Sequence, residues 1–120
     1  MDSAMINFGD VYYANLSYEE NIQGGIRPVV IAQNNVGNKH SNTIEIIPMT
    51  SNIRKAHNLP THAVIMANMI NGLKENSVVL AEQVRTINKN KLIGKIGSLD
   101  KWDLIEIGKA RQIQSPFPAA

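Results

Sequence analysis

The chain has 120 residues, no cysteine, and 43% hydrophobic against 18% charged residues, so we expect one globular domain without disulfide bonds or cysteine nucleophiles. The formal net charge of +2 permits contact with a polyanion but does not require it. No apolar run reaches the roughly 18 residues that suggest a membrane span, and the first residues lack a secretory-signal pattern, so we predict a cytoplasmic protein.

The first half of the chain predicts strands separated by polar connections. Residues 10–14 are rich in β-formers and predict the first strand. Residues 28–33 form a nearly continuous apolar run, which predicts a central strand buried on both faces, with Pro28 as its first residue. Residues 34–42 predict a turn-rich connection to the next strand, residues 43–49.

The second half predicts further strands. Residues 61–66 form one, and residues 92–96 form a short last one. Residues 77–87 form the longest strand candidate, in which Gln83 and Arg85 point to one face because side chains alternate along a strand.

The last segment predicts a helix over residues 100–113. Trp102, Ile105 and Ile113 recur on one face at helical spacing, together with the stem of Lys109, and Leu104 and Ile107 flank them. This face is predicted to pack on the sheet. Five or six strands and a terminal helix in a chain of this length predict a mainly β (α+β) fold. We expect a strongly bent antiparallel sheet or barrel with the helix packed on it.

The familiar catalytic motifs for phosphate, dinucleotide, zinc-protease and serine-hydrolase chemistry are absent. Two histidines acting as acid and base would be an ordinary way to cleave RNA. However, His40 and His57 lie in polar segments and His62 lies among apolar residues. None of the three is singled out by its own surroundings.

Two other positions suggest chemistry. Arg27 lies between a glycine pair and Pro28, just before an apolar strand, where its guanidinium could grip two phosphate oxygens. The alternative is a surface arginine in a salt bridge. Thr50 and Ser51 follow the strand of residues 43–49, and a stiff strand end is a good mount for a hydroxyl. The alternative there is a hydrogen bond that stabilises a turn.

Six segments occur together in the order and spacing of one family. They are Gly9-Asp10-Val11-Tyr12, Gln23-Gly24-Gly25-Ile26-Arg27-Pro28-Val29-Val30-Ile31, Gln33-Asn34, a strand closing on Met49-Thr50, Leu59-Pro60-Thr61-His62 and Glu82-Gln83-Val84-Arg85-Thr86-Ile87. Over roughly residues 9–113 the chain resembles the MazF/PemK toxins of toxin–antitoxin pairs, especially the branch found in Gram-positive bacteria. We therefore expect a single domain at residues 9–114, with flexible termini at residues 1–8 and 115–120.

The resemblance implies a compact SH3-like antiparallel β-barrel with a C-terminal helix, assembled as a homodimer. It implies a sequence-specific, ribosome-independent endoribonuclease that cleaves single-stranded mRNA without metal or other cofactor. The products would carry 2′,3′-cyclic phosphate and 5′-hydroxyl ends. The expected protein partner is an acidic, MazE-like antitoxin whose disordered tail folds onto the dimer.

The resemblance also assigns site residues. The catalytic pair falls on Arg27 and Thr50. We expect Arg27 to stabilise charge and to be a proton donor at most, because a guanidinium stays protonated, and we expect Thr50 to hydrogen-bond the scissile phosphate. The RNA-binding residues would be Tyr18, Asn34, Leu59, Pro60, Thr61 and Gln83. Gln83 would read a base edge and residues 59–61 would contact bases through their backbone, while Tyr18 is our own inference of a stacking platform.

One departure from the family bears on the mechanism. Many relatives carry Ser-Glu-Gln before the glycine pair, where this chain has Asn21-Ile22-Gln23. A mechanism that needs a carboxylate at position 22 does not fit, and Glu19 or Glu20 could substitute only if the loop folds back. Two alternative functions remain open at this point. One is a same-fold, non-enzymatic gyrase poison, which would act through a C-terminal Trp-Gly-Ile that this sequence lacks. The other is an SH3-like interaction module in which Arg27 and Thr50 are structural.

Overall fold

The computed structural model describes residues 6–17, 23–54 and 58–118. The elements in chain order are β1 (Asp10–Leu16), β2 (Gly25–Ile31), α1 (Asn35–His40), β3 (Thr43–Thr50), β4 (His62–Ile65), β5 (Ser77–Leu80), β6 (Arg85–Asn88), β7 (Leu92–Ser98) and α2 (Lys101–Gln114). Single 3₁₀ turns, Ala81–Gln83 and Lys89–Lys91, precede β6 and β7.

The strands form one antiparallel sheet in the order β4-β5-β3-β2-β1-β7, and β6 joins it by pairing with β3. Strand β3 divides the sheet, because residues 43–46 pair with β6 whereas residues 49–50 pair with β5. Among the described residues no pairing joins β4 to β7, so the sheet is open. The predicted antiparallel β fold with a C-terminal helix is confirmed, with the barrel left unclosed.

Alternation along β2 and β3 places the core in two layers, one on each face of the sheet. Val29 and Ile46 belong to one buried cluster. Val30 and Ile47 belong to the other, which α2 covers through Ile107. Burying each such side chain contributes about 1.5–3 kcal/mol, so the β2–β3 pair is a rigid mount for whatever its ends carry. The predicted burial of this central strand on both faces is confirmed.

One connection and the start of one strand differ from their predictions. Residues 34–42 contain the helix α1, whose start is capped by Asn34: its Oδ1 accepts a hydrogen bond from the Gly37 N–H at 2.8 Å. The glycine and the short length hid this helix, although an asparagine cap was a usable signal. Strand β2 begins at Gly25, and Pro28 is its fourth residue, opposite Tyr13 of β1.

The single long strand predicted over residues 77–87 is wrong. The chain forms β5, then the Ala81–Gln83 turn, then β6. The registers explain the break, because Val78 pairs with Thr50 and Arg85 pairs with Ile46. The chain from Val78 to Arg85 is three residues longer than the stretch of β3 from Ile46 to Thr50 that lies beside it. Those extra residues leave the ladder as the turn.

The predicted inward face of the terminal helix is also wrong. Trp102, Ile105 and Ile113 are 73%, 39% and 53% exposed, whereas Ile107 and Ala110 are buried. The predicted boundaries hold to within a residue, and Asp100 is the N-cap, accepting from the Asp103 N–H at 2.8 Å. Neither helix of the described chain is long and apolar enough to cross a membrane.

Gly97 lies where β7 meets the loop that precedes β5. A Cβ at this position would lie 2.2 Å from the Ile70 carbonyl oxygen. We therefore expect Gly97→Ala to lower the free energy of unfolding by about 1–3 kcal/mol, because strand and loop must move apart. The measurement is the urea midpoint at equilibrium.

Gly94→Ala is the matched control, since no atom lies within 4 Å of a Cβ at this other β7 glycine. Equal urea midpoints for the two alanine variants would contradict the close approach at Gly97.

Candidate active site

Arg27 and Thr50 lie at the same end of the β2–β3 ladder. The ladder's pairs include Ile31↔Ile46 and end at Val29↔Pro48. Continuing that register by two residues on each strand brings Arg27 level with Thr50. Because side chains alternate with a period of two, both belong to the face that carries Val29. The extended register therefore predicts that the two residues lie near each other, although they are 23 positions apart in the sequence.

The guanidinium of Arg27 is held by its own strand entry. Its Nε donates to the Gly24 carbonyl oxygen at 3.1 Å. Gly25, between them, has φ +74°, a left-handed conformation that glycine adopts without strain. Arg27 forms no ion pair with any carboxylate of the described residues. Arg27 is half-buried, and its Nη groups form no hydrogen bond with residues 6–17, 23–54 or 58–118.

Thr50 is the last residue of β3 and is only 3% exposed. Its Oγ1 accepts a hydrogen bond from the Asn52 N–H at 3.1 Å. This is the turn-stabilising bond considered from the sequence, and it uses only acceptor capacity of the hydroxyl. The hydroxyl hydrogen is left for a second partner. Thr50 can thus orient its O–H as a donor while its oxygen is fixed by the turn.

A second arginine reaches the segment in front of β2. The Arg85 Nη2 donates to the Gln23 carbonyl oxygen at 2.7 Å, and the Gln83 Oε1 accepts from the Gln23 N–H at 2.8 Å. Gln83 and Arg85 do not share the face of one strand as predicted, because Gln83 lies in the 3₁₀ turn and Arg85 in β6, but both side chains reach Gln23. The Gln23 and Gly24 carbonyls, adjacent in the chain, each bind one arginine, which brings two positive charges to this end of the sheet.

The predicted segment Leu59-Pro60-Thr61 is held by a histidine and a carboxylate. The His62 Nδ1 accepts from the Leu59 N–H at 3.2 Å. The ring proton therefore lies on Nε2, which donates to Glu82 Oε2 at 3.0 Å. The other Glu82 oxygen accepts from the Thr61 hydroxyl at 2.8 Å. His62 is accordingly a structural clamp here, with both ring nitrogens engaged.

The remaining predicted residues lie elsewhere. Asn34 follows the far end of β2. Arg27 and Ile31 are four steps apart along β2, a Cα distance of about 13 Å at ~3.3 Å per residue. Asn34 lies beyond Ile31, so the structure does not bring it to Arg27. Tyr18, like His57, lies outside the described residues, and Leu59 and Pro60 are exposed.

Sequence reasoning gave no role to Glu82 or Arg85, although both lie in the segment that singled out Gln83. Their partners are about 20 and 62 residues earlier in the chain. The usable signal was the crowding of four polar or charged groups in a short segment that was otherwise expected to be a plain strand.

The groups that converge at this end of the sheet suit an anion. They are guanidinium, hydroxyl and amide groups, which donate hydrogen bonds to phosphate oxygens. No three histidine, cysteine or carboxylate side chains cluster as metal ligands within residues 6–17, 23–54 and 58–118. The arrangement can therefore hold a phosphate and stabilise added negative charge on it.

The sequence was compared with models of known families. The family described as "PemK-like, MazF-like toxin of type II toxin-antitoxin system" matches residues 7–114. The chain belongs to this family. The resemblance predicted from the six sequence segments is thereby confirmed.

Curated relatives in this family share close to half of their residues with the chain. Endoribonuclease EndoA of Bacillus subtilis is 43% identical over 110 residues, covering 91% of this chain and 93% of that protein. Endoribonuclease MazF of Staphylococcus epidermidis is 44% identical over 110 residues, covering 91% of this chain and 90% of that protein.

Solved structures share the fold at lower identity. MazF from Deinococcus radiodurans superposes with a TM-score of 0.78 at 18% identity, covering 93% of this chain and 97% of that one. An endoribonuclease from a mycobacterial species, solved in complex with its cognate antitoxin, gives a TM-score of 0.74 at 22% identity with 100% of each chain covered. These likenesses support the PemK/MazF fold for this chain.

Proposed function

We propose that this chain is a cytoplasmic, sequence-specific, ribosome-independent endoribonuclease toxin that cleaves single-stranded mRNA without metal or other cofactor. The observation that supports the proposal is the β2–β3 register, Val29↔Pro48 to Ile31↔Ile46, which when extended by two residues brings Arg27 level with Thr50 on one face. Membership of a toxin family whose relatives include Endoribonuclease EndoA and Endoribonuclease MazF supports it. A MazE-like antitoxin as partner is supported by the MazE-MazF structure from Deinococcus radiodurans and by the mycobacterial endoribonuclease solved in complex with its cognate antitoxin.

The proposed reaction is an internal transesterification. The 2′-oxygen attacks the adjacent phosphorus as its proton passes to solvent water, the bond from phosphorus to the 5′-oxygen breaks, and that oxygen takes up a proton from solvent. The products are a 2′,3′-cyclic phosphate and a 5′-hydroxyl. Arg27 stabilises the negative charge that builds on the phosphorane oxygens. Because a guanidinium stays protonated, Arg27 does not act as the base. Thr50 donates its hydroxyl hydrogen to a phosphate oxygen.

The remaining predicted residues are proposed to bind the RNA strand. Leu59 and Pro60 are exposed. The Leu59 N–H and carbonyl bind His62 and the Thr61 carbonyl binds the Ala81 N–H, so the Pro60 carbonyl is the group proposed to contact a base. Gln83 uses its carbonyl oxygen on Gln23 and keeps its amide nitrogen for a base edge. Asn34, whose Oδ1 caps α1, would contact the RNA strand at a nucleotide away from the scissile phosphate. Tyr18 would stack on a base.

We also propose a homodimer as the working unit. The described chain leaves large apolar side chains in water, among them Met69, Ile70 and Trp102. Met69 and Ile70 are adjacent in the chain, and contiguous apolar exposure is unusual for a monomer. Light scattering on the purified chain tests this directly, and a monomer at assay concentration would contradict it.

The test of function is cleavage of a defined single-stranded RNA in excess EDTA, followed by analysis of the product ends. We expect cutting at a short sequence, with cyclic phosphate and 5′-hydroxyl ends. An otherwise identical strand with 2′-deoxyribose at the cleaved nucleotide should stay intact. No cutting of any RNA would refute the nuclease, and cutting of the deoxy-substituted strand would refute the transesterification.

Glu82→Ala tests the turn of residues 59–61. The change leaves the Thr61 hydroxyl and the His62 Nε2–H without their common acceptor. A buried donor left unpaired costs about 1–3 kcal/mol, and the turn loosens. We expect KM for RNA to rise about tenfold, as from the loss of roughly 1.4 kcal/mol of binding, while kcat changes little.

Glu106→Ala is the matched control, because it removes a carboxylate whose recorded contact is an exposed bond to Lys109 on α2. A fall in kcat with KM unchanged in Glu82→Ala would contradict a binding role for the turn.

A further inference from the structure

The backbone N–H and the carbonyl oxygen of Gln23 each form a hydrogen bond with a side chain far along the chain. Gln83, 60 residues later, accepts from its N–H at 2.8 Å. Arg85, 62 residues later, donates to its carbonyl oxygen at 2.7 Å. The two peptide groups that flank the Gln23 Cα are thus fixed, one by an acceptor from the Ala81–Gln83 turn and the other by a donor from the first residue of β6.

The backbone that is held in this way is linked to Arg27 through the next residue. The next carbonyl, that of Gly24, accepts the Arg27 Nε at 3.1 Å. The intervening Gly24-Gly25 pair has no side chain of its own to restrict its backbone, and Gly25 takes a positive φ. Pairing of Gly25 with Leu16 of β1 holds the chain after the Gly24 carbonyl, and the contacts of Gln23 hold the chain before it, so both sides set the position of this carbonyl.

The anchor is itself well fixed. Gln83 ends the 3₁₀ turn Ala81–Gln83, whose first N–H donates to the Thr61 carbonyl at 3.0 Å. Arg85 begins β6 and pairs with Ile46 of β3. Both side chains therefore project from backbone that the sheet holds in place.

We propose that Gln83 and Arg85 are positioning residues that orient the Arg27 guanidinium through the Gln23 backbone and the Gly24 carbonyl. The inference rests on the proposed nuclease function for its kinetic consequences. It differs from base reading by Gln83, because it acts on the chemical step whatever base is bound. It also gives Arg85, which was assigned nothing from the sequence, a defined task at the site.

The test compares Arg85→Met, which removes the donor to the Gln23 carbonyl oxygen at a residue given no contact with RNA, with the wild type in single-turnover cleavage. We expect kcat to fall about tenfold, less than the roughly 10²-fold that a 1 Å misplacement can cost, with KM and sequence preference unchanged. In an Arg27→Lys background the same change should have no effect, because lysine lacks the Nε that the Gly24 carbonyl holds.

A second readout does not depend on cleavage. In ¹⁵N NMR spectra, the Arg27 Nε–H signal should move towards that of a free arginine in Gln83→Met. Lys74→Met, which alters an exposed residue away from this segment, should leave it unchanged. Arg85→Met should reproduce the shift.

Three outcomes are decisive. A lower kcat together with a displaced Arg27 signal supports the clamp. An unmoved signal, or a raised KM with altered sequence preference, overturns it in favour of base reading. If the wild type cuts no RNA, the proposed function fails, and the NMR signal alone still decides whether Gln83 orients Arg27.

Discussion

Arg27→Lys is expected to lose about 10²- to 10³-fold in cleavage rate, the loss typical of removing a preorganised charge-stabilising donor. The variant keeps the positive charge, so a purely long-range electrostatic role would leave much of the activity. Arg27 is fixed through Nε to the Gly24 carbonyl and so presents a planar pair of Nη donors. A lysine ammonium cannot hold that carbonyl and bind two phosphate oxygens in the same geometry.

The measurement is the single-turnover rate on a defined RNA in EDTA. Arg111→Lys is the matched control, since Arg111 is another half-buried arginine but pairs with Glu45 on α2's side of the sheet. Thermal unfolding of both variants checks that the fold is intact. Full activity of Arg27→Lys would contradict the two-oxygen grip on phosphate.

Thr50→Val is expected to reduce the cleavage rate by about 10²-fold. Valine keeps the volume and β-branching of a residue that is 3% exposed and paired with Val78. The change removes the hydroxyl donor proposed for the phosphate and the acceptor for the Asn52 N–H. Thr50→Ser restores both groups and should recover most of the rate.

Thr86→Val is the control for this change, because Thr86 is an exposed threonine of β6. Rates are compared under single-turnover conditions with RNA bound to saturation, so that binding does not enter. A Thr50→Val enzyme that cuts at the wild-type rate would show that the hydroxyl only stabilises the turn.

The fold was predictable where side chains alternate along rigid, buried strands. The apolar run of residues 28–33 gave the central strand, since few other structures bury so many consecutive apolar side chains. Residues 77–87 failed as one strand because the break arises from the registers on β3, which local sequence does not contain. The inward face of α2 failed because helical spacing fits two stripes, and only packing on the sheet selects Ile107.

The site was predictable only in part. Taken alone, Arg27 and Thr50 had plausible structural explanations, and family resemblance singled them out. The structure adds the physical reason, since the β2–β3 register aligns them. The roles of Gln23 and Arg85 could not be predicted, because their contact spans 62 residues and depends on where a 3₁₀ turn leaves the sheet. A sequence pattern carries no such distance information.

The most direct test of the central claim is a double-mutant cycle of Arg27→Ala and Thr50→Val, measured by single-turnover RNA cleavage in EDTA. If the two residues act as one site, the double variant will be scarcely slower than the worse single variant, because residues that work as a unit are strongly non-additive. Independent, multiplying losses, or a single variant with wild-type rate, would contradict a shared site at the end of the β2–β3 ladder.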